Sequence, residues 1–302
     1  MTATSTTTPR RSRLHRRENL AALGFVAIPL IGFLLFTLYP ICFAVYASLT
    51  SWNGLGPMTF VGLDNYVTLF GDEYFRISLF NTFFYMIGIP IGLALSLLLA
   101  LALNRKIPGR TAFRTIYYVP VISSLAAIAI VWQFAYNGDF GLINQVLAWF
   151  GIEGPDWLQD RWLALGALTL LTVWKNLGFN AILYLTALQA LPQGIFEAAS
   201  LDGANGAQRV RHLTVPLLAP MTFFVVVQAL ITTFQSFDLV YVLTGGGPRG
   251  GTEVLGLLMY REAFRLGDFG YGTAIAFVTL FLVLGVSLVQ WRASGAGRSP
   301  LR

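Results

Sequence analysis

Six apolar runs along the chain are long enough to cross a hydrocarbon layer, which takes about 20 helical residues. They are Leu20–Leu49, Ile77–Leu103, Phe113–Tyr136, Leu163–Leu188, Pro216–Leu243 and Tyr271–Trp291, and short polar segments separate them. Lys175 and Asp238 interrupt them, and Arg114 stands at the border of the third. Each run is continuous rather than alternating, whereas a barrel strand alternates over about 10 residues. With no water to satisfy backbone groups in lipid, a continuous run crosses as a helix. The pattern therefore predicts an all-α membrane protein with six transmembrane helices over residues 20–292. The first run exceeds an untilted crossing, and Pro29 and Pro40 are expected to bend it.

Composition agrees. Hydrophobic residues make up 56% of the 302 positions and charged residues 11%, against about 25% charged in soluble domains. A core cannot hide that much apolar surface, so lipid must cover part of it. Basic residues then set the orientation. With the N-terminus inside, segments 1–19, 104–112 with Arg114, 189–215 and the tail after Trp291 hold 14 of the 20 Lys and Arg. Their acids are Glu18, Glu197 and Asp202 alone. The opposite side carries ten acids against five basic residues. Both termini are therefore expected in the cytoplasm, and the net charge of +6 reports topology rather than nucleic-acid binding. Residues 1–19 read as a disordered basic tail and 293–302 as a short cytoplasmic tail. The first run is about twice a signal-peptide core and no small-residue cleavage site follows it, so a retained span is expected.

Enzyme chemistry has little to stand on. The histidines are His15 and His212, both in polar segments, and Cys42 is the one cysteine, so neither a metal site nor a Ser–His pair is expected. The run Gly245–Thr252 lacks the lysine of a phosphate loop and falls on the outer side; a tight turn is the better reading. Asp238 is the one acid within a span, where a proton-driven carrier buries several. No internal inverted repeat is visible.

The polar insert at 189–215 is expected to form two short helices. Pro192 suits a first turn, Gln193 to Leu201 can run on, and Gly203 supplies the positive φ that stops it. Asp202 is the expected cap of the second helix. Ala198, Ala199, Gly203, Ala204 and Gly206 make a surface that another protein's backbone can approach closely; an ordinary amphipathic interfacial loop is the other reading.

Glu197-Ala198-Ala199, then Asp202-Gly203-Ala204, then Leu213-Thr214-Val215-Pro216 resembles the signature of permease subunits of bacterial ATP-driven importers. The resemblance extends over roughly residues 20–292, to the carbohydrate type that includes maltose and glycerol-3-phosphate permeases. Ser48–Asn53, Phe60–Tyr66, Asn81-Thr82, Phe113–Pro120, Val173–Lys175, Phe237-Asp238 and Leu243–Pro248 carry it in order. It implies the compact six-span form of the type I ABC importer permease fold in the bacterial inner membrane. It further implies that Glu197, Ala198, Ala199, Asp202, Gly203 and Ala204 dock into a cytoplasmic ATPase dimer. That ATPase would use ATP and Mg2+, and this chain would bind no cofactor. A second, homologous permease subunit and an extracytoplasmic solute-binding protein are the other implied partners. The sequence departs from the family at Ala207 and Val210, where aromatics are common.

Polar positions inside spans must face a bundle interior or a wet cavity. Thr172, Lys175, Asn176, Phe179 and Asn180 recur at helical spacing in the fourth span, and the fifth carries Thr232, Thr233, Gln235, Ser236 and Asp238. They read either as a solute path or as hydrogen-bonding glue between helices. By the resemblance, Thr172, Lys175, Asn176, Phe179, Ala229, Thr232, Thr233 and Ser236 lie at sugar-contact positions. Lys175 and Ala229 are departures there. Lys175 can attract an anionic solute, or pair with Asp238, or snorkel. The expected function is the permease subunit of a binding-protein-dependent sugar importer; a stand-alone secondary carrier or channel, and a scaffold that moves nothing, are the rivals.

Overall fold

The structure, a computed structural model, describes residues 24–104 and 109–293. The expected tail at 1–19, all but the first residue of the tail expected at 293–302, and residues 105–108 of the basic loop lie outside that range.

Helix α1, Gly24–Ser48, is the first apolar run. It carries one wide turn at Leu34–Leu38, where the Tyr39 N–H donates to Leu34 O. Pro40 has no N–H to give and its ring crowds the carbonyl one turn back, so the ladder shifts there. A two-stranded ribbon follows, Thr50–Ser51 (β1) paired antiparallel with Thr59–Phe60 (β2), then a short helix α2, Asp64–Gly71. The second run is α3, Glu73–Asn104, capped by Asp72, whose side chain accepts from the Tyr74 N–H.

The third run is not straight. It divides into α4, Arg110–Ile122, and α5, Leu125–Ala135, and the axis turns by 109° between them. Ser123 and Ser124 take extended backbone there, just after Pro120 has removed one rung of the helix ladder. A short helix α6, Leu142–Trp149, lies beyond. The fourth run is α7, Arg161–Gln189, whose Asp160 cap accepts from the Trp162 and Leu163 N–H groups. At 29 residues it spans roughly 43 Å, more than a hydrocarbon core.

The insert forms α8, Gln193–Leu201, and α9, Gly206–Leu217. The fifth run then differs from expectation at both ends. A 66° bend separates α9 from α10, Ala219–Phe234, so the membrane helix starts three residues after Pro216. Backbone order breaks at Gln235–Phe237, and the remainder is a separate short helix α11, Asp238–Leu243. After the glycine loop come α12, Leu255–Tyr260, one wide turn at Arg261–Arg265, and α13, Phe269–Ala293.

Helix α7 is the central post. Its N-terminal half packs with α5 and α11 around Leu168, Leu171, Ile128 and Val240. Its C-terminal half packs with α3 and α10 around Tyr184, Leu185, Leu93 and Val225. A third cluster, Phe75, Phe234, Leu258 and Ile275, joins α3, α10, α12 and α13. The α3–α7 contact rests on a ridge of small residues one turn apart: Gly88, Gly92, Ser96 and Ala100 are all buried. A Cβ at Gly88 would sit 2.8 Å from Thr169 Cγ2, and Ser96 Oγ donates to Leu177 O at 3.2 Å. Lipid drives no association of apolar surfaces, so close approach of backbones must supply the packing. The same holds at Gly178, where a Cβ would meet Tyr117 O at 2.2 Å. Helix α1 is the opposite case: Phe25 is 82% and Phe36 81% exposed, an apolar rod against α13 with little else around it.

The two ends of the bundle differ. One carries α8 and α9. The other carries residues 137–160 and the loop 244–254, which Asn81 holds down: its Nδ2 donates to Gly250 O at 3.1 Å and Glu253 O at 2.9 Å. Arg161 Nη2 donates to Asn81 Oδ1, and the Leu255 N–H donates to Thr82 Oγ1. Inside this knot Glu253 pairs with Arg261 at 2.8 Å, and Arg261 lies over the Tyr74 ring. Burial pushes the Glu253 carboxyl above the ordinary carboxylate range, with Arg261 opposing the rise.

Candidate functional site

A cavity of about 340 Å³ opens between α3, α7 and α10. Thr172, Lys175, Asn176 and Phe179 from α7 line it, and so do Ala229, Thr232, Thr233 and Ser236 from α10 and the break beyond it. All eight positions singled out in the sequence thus face one space. Helical spacing explains four of them, since residues three and four apart share a face. The same spacing joins Ala229, Thr232 and Thr233 on α10, and Ser236 depends on the stop at Phe234, which lets Gln235, Ser236 and Phe237 leave the helix and enter the wall.

Hydrogen bonding separates the lining into committed and free groups. Thr232 Oγ1 donates to Gln228 O at 2.9 Å within its own helix, and Thr172 pairs with the Tyr85 hydroxyl. Lys175, Asn176, Gln228 and Asp238 have side-chain donors or acceptors that engage no other described residue. Lys175 and Asp238 share the wall, yet no ion pair joins them. The wall therefore holds one cation and one anion, and its own lining charges cancel.

Tyr85 was missed by the sequence reading. It comes from α3, buried at 4% exposure, with its hydroxyl at the wall beside Thr172. Among Phe80, Phe83 and Phe84 in the same run, nothing in the sequence set it apart. Gly88 and Gly92 also line the cavity, so the ridge that brings α3 against α7 shapes the site as well.

The insert presents a second candidate surface. Glu197, Ala198, Asp202 and Gly203 are exposed, Ala199 and Ala204 half-buried. Gly203 takes φ +80°, and the Ala204 N–H donates back to Ala199 O at 2.9 Å, which closes α8. The cap of α9 is Asn205 rather than Asp202: Asn205 accepts from the Gln208 N–H while the Gln208 side chain accepts from the Asn205 N–H. Asp202 instead ends α8, because Gly203 and Ala204 are needed to turn the chain before a new helix can start. Arg209 Nη1 donates to Ser200 Oγ at 2.7 Å and staples the two helices. Leu201 is left 91% exposed at the tip.

A set of long apolar helices around a polar cavity, with a rigid polar hook at one end, defines a membrane transport subunit. The comparisons make that specific. The chain belongs to the family of binding-protein-dependent transport system inner membrane components, whose family model matches residues 88–293. It is 38% identical over 277 residues to the probable ABC transporter permease protein YurN of Bacillus subtilis, covering 90% of this chain and 95% of that one. It is 36% identical over 282 residues to the trehalose/maltose transport system permease protein MalF of Thermococcus litoralis, covering 92% and 95%. Among solved structures it shares its fold with a chain of a bacterial alginate ABC transporter in complex with an alginate pentasaccharide-bound periplasmic protein. The TM-score there is 0.83 at 23% identity, over 95% of this chain and 98% of that chain.

Proposed function

We propose that this chain is one of two permease subunits of an ATP-driven importer of a sugar or sugar derivative in the bacterial inner membrane. Both termini and the insert lie in the cytoplasm, and the loops at 50–76, 137–161 and 244–269 lie outside. A solute-binding protein delivers the sugar to those loops. A cytoplasmic ATPase dimer, which uses ATP and Mg2+, grips Glu197, Ala198, Ala199, Asp202, Gly203 and Ala204. This chain catalyses no covalent change and holds no cofactor. The solute passes along Thr172, Lys175, Asn176, Phe179, Ala229, Thr232, Thr233 and Ser236, with the second subunit closing the opposite wall.

The observation that supports this reading most is the cavity. Free amide, ammonium and carboxylate groups beside Phe179 and Phe237 suit a polyhydroxyl solute, which needs hydrogen bonds at its rim and ring faces to stack on. Glue between helices would leave those groups paired. The sugar class is the one named for the trehalose/maltose relative. The stapled hook supports the coupling role: Arg209 and the Asn205–Gln208 box make it stiff enough to pass on a push.

Reconstitution with the partner subunits tests this. Glu197→Lys and Gly203→Asp should abolish ATP-driven uptake while the chain still inserts, because one reverses a docking charge and the other loads a left-handed backbone position with a side chain. Full uptake by both variants would overturn the assignment.

A further inference from the structure

A second cavity, of about 420 Å³, lies at the end of the bundle away from the insert, between residues 133–140, 156–159 and the start of the glycine loop. It falls within the range of ligand pockets, roughly 300–1,000 Å³. Its wall combines Gln133, Asn137, Asp156 and Gln159 with the rings of Phe134 and Phe140. Those rings lie 6.4 Å apart and are 62% and 57% exposed.

The polar groups are held but not used up. Asn144 ties the rim together: its Nδ2 donates to Gly138 O at 2.8 Å and Pro155 O at 3.2 Å, and its Oδ1 accepts from Trp157 Nε1 at 2.7 Å. Pro155 O before Asp156 and the Trp157 indole after it are thereby both tied to Asn144. The Asp156 carboxylate itself, the one charged group of the lining, has neither a hydrogen bond nor an ion pair with any described residue. It leans against Gly138 so closely that a Cβ there would fall 1.6 Å from its Oδ1; position 138 must stay bare for Asp156 to sit as it does. A helix of six residues, α11, separates the two cavities. Phe237–Leu239 at its start line the central one, and Leu243 and Thr244 at its end line this one, about 9 Å on.

We infer that this cavity is an outer saccharide subsite, which holds a neutral sugar ring of the solute one short helix away from the central cavity. The inference rests on the importer reading and on its orientation. The free carboxylate accepts from two vicinal hydroxyls, the amides donate and accept at the ring edge, and Phe134 and Phe140 offer aromatic faces to its C–H side. With no cation in the wall, Asp156 repels uronates and phosphates.

The test uses the assembled transporter in cells, in a Cys42→Ser background carrying Leu158→Cys, at a lining position that takes no part in the recognition. An impermeant maleimide is expected to label that cysteine from outside. Maltotriose or xylotriose is expected to slow the labelling and trigalacturonate to leave it unchanged. Adding Asp156→Asn, or Gly138→Ala, which displaces Asp156, should raise the sugar needed for half-protection about tenfold. Absence of protection by either neutral sugar, protection that survives both added variants, or better protection by trigalacturonate would overturn the subsite and leave the importer reading standing. A cysteine that no outside reagent reaches would overturn the orientation, and both readings with it.

Discussion

Helix α7 has a dry face and a wet one, built from neighbouring positions of the same 29 residues. On the dry side, Ser96 of α3 donates to Leu177 O, and Gly178 lets Tyr117 O approach to a distance no side chain would allow. On the wet side, Thr172, Lys175, Asn176 and Phe179 face a cavity whose polar groups are largely uncommitted. The difference is one of partner, not of the helix. The dry face exists because α3 and α4 come close enough to exclude everything else; the wet face exists because α10 stops at Phe234 and leaves a gap. Substitutions on the dry face should therefore act on assembly, and those on the wet face on transport.

The largest effect is expected at Gly178. Gly178→Leu should prevent assembly of the complex, seen as loss of the size-exclusion peak. Gly178→Ala, whose Cβ falls 2.2 Å from Tyr117 O, should cost about 1–3 kcal/mol by overpacking, read from thermal melting in detergent. Next comes Asn81→Ala, which removes three hydrogen bonds from a buried amide. Its cost of about 1–3 kcal/mol should appear as faster amide exchange across 244–254, with the central cavity unaffected. Asn176→Ala, on the wet face, should raise the KM for uptake about five- to tenfold, the worth of roughly 1 kcal/mol, and leave melting unchanged. Smallest is Thr186→Val on the exposed side of α7, where the hydroxyl bonds its own helix. It should shift stability by no more than about 0.5 kcal/mol and uptake not at all.

Lys175 sharpens the same contrast. Pairing with Asp238, one of the readings open from the sequence, is not what the structure shows, since both side chains stand free in one wall. Lys175→Met should leave a net negative cavity and lower uptake of an anionic sugar more than that of a neutral one. Equal losses for both would mean that the ammonium binds hydroxyls rather than compensating charge.

How much of this was legible in the sequence follows from what each signal depends on. Apolar length is a property of the chain alone, so the long runs could be read directly. The polar stripe of α7 was legible because three- and four-residue spacing is local. The bends were harder. Pro120 and the Ser123-Ser124 pair, and Gln235-Ser236 after Phe234, mark them, yet a hydropathy window averages over such short breaks. Asn205 took the capping role expected of Asp202 because closing α8 at Gly203 uses two residues first. The ridge Gly88, Gly92, Ser96, Ala100 carried a clear four-residue period, but its meaning depended on knowing which helix lay opposite. Tyr85 was invisible for that same reason.

Paired cysteine accessibility on α7 tests the division of faces most directly. In a Cys42→Ser background, Asn176→Cys and Leu168→Cys are exposed to a small thiol reagent during ATP-driven turnover. The account predicts that Asn176→Cys is modified, that modification blocks uptake, and that solute slows it, while Leu168→Cys stays inert. Reaction at Leu168 with Asn176 untouched would contradict it.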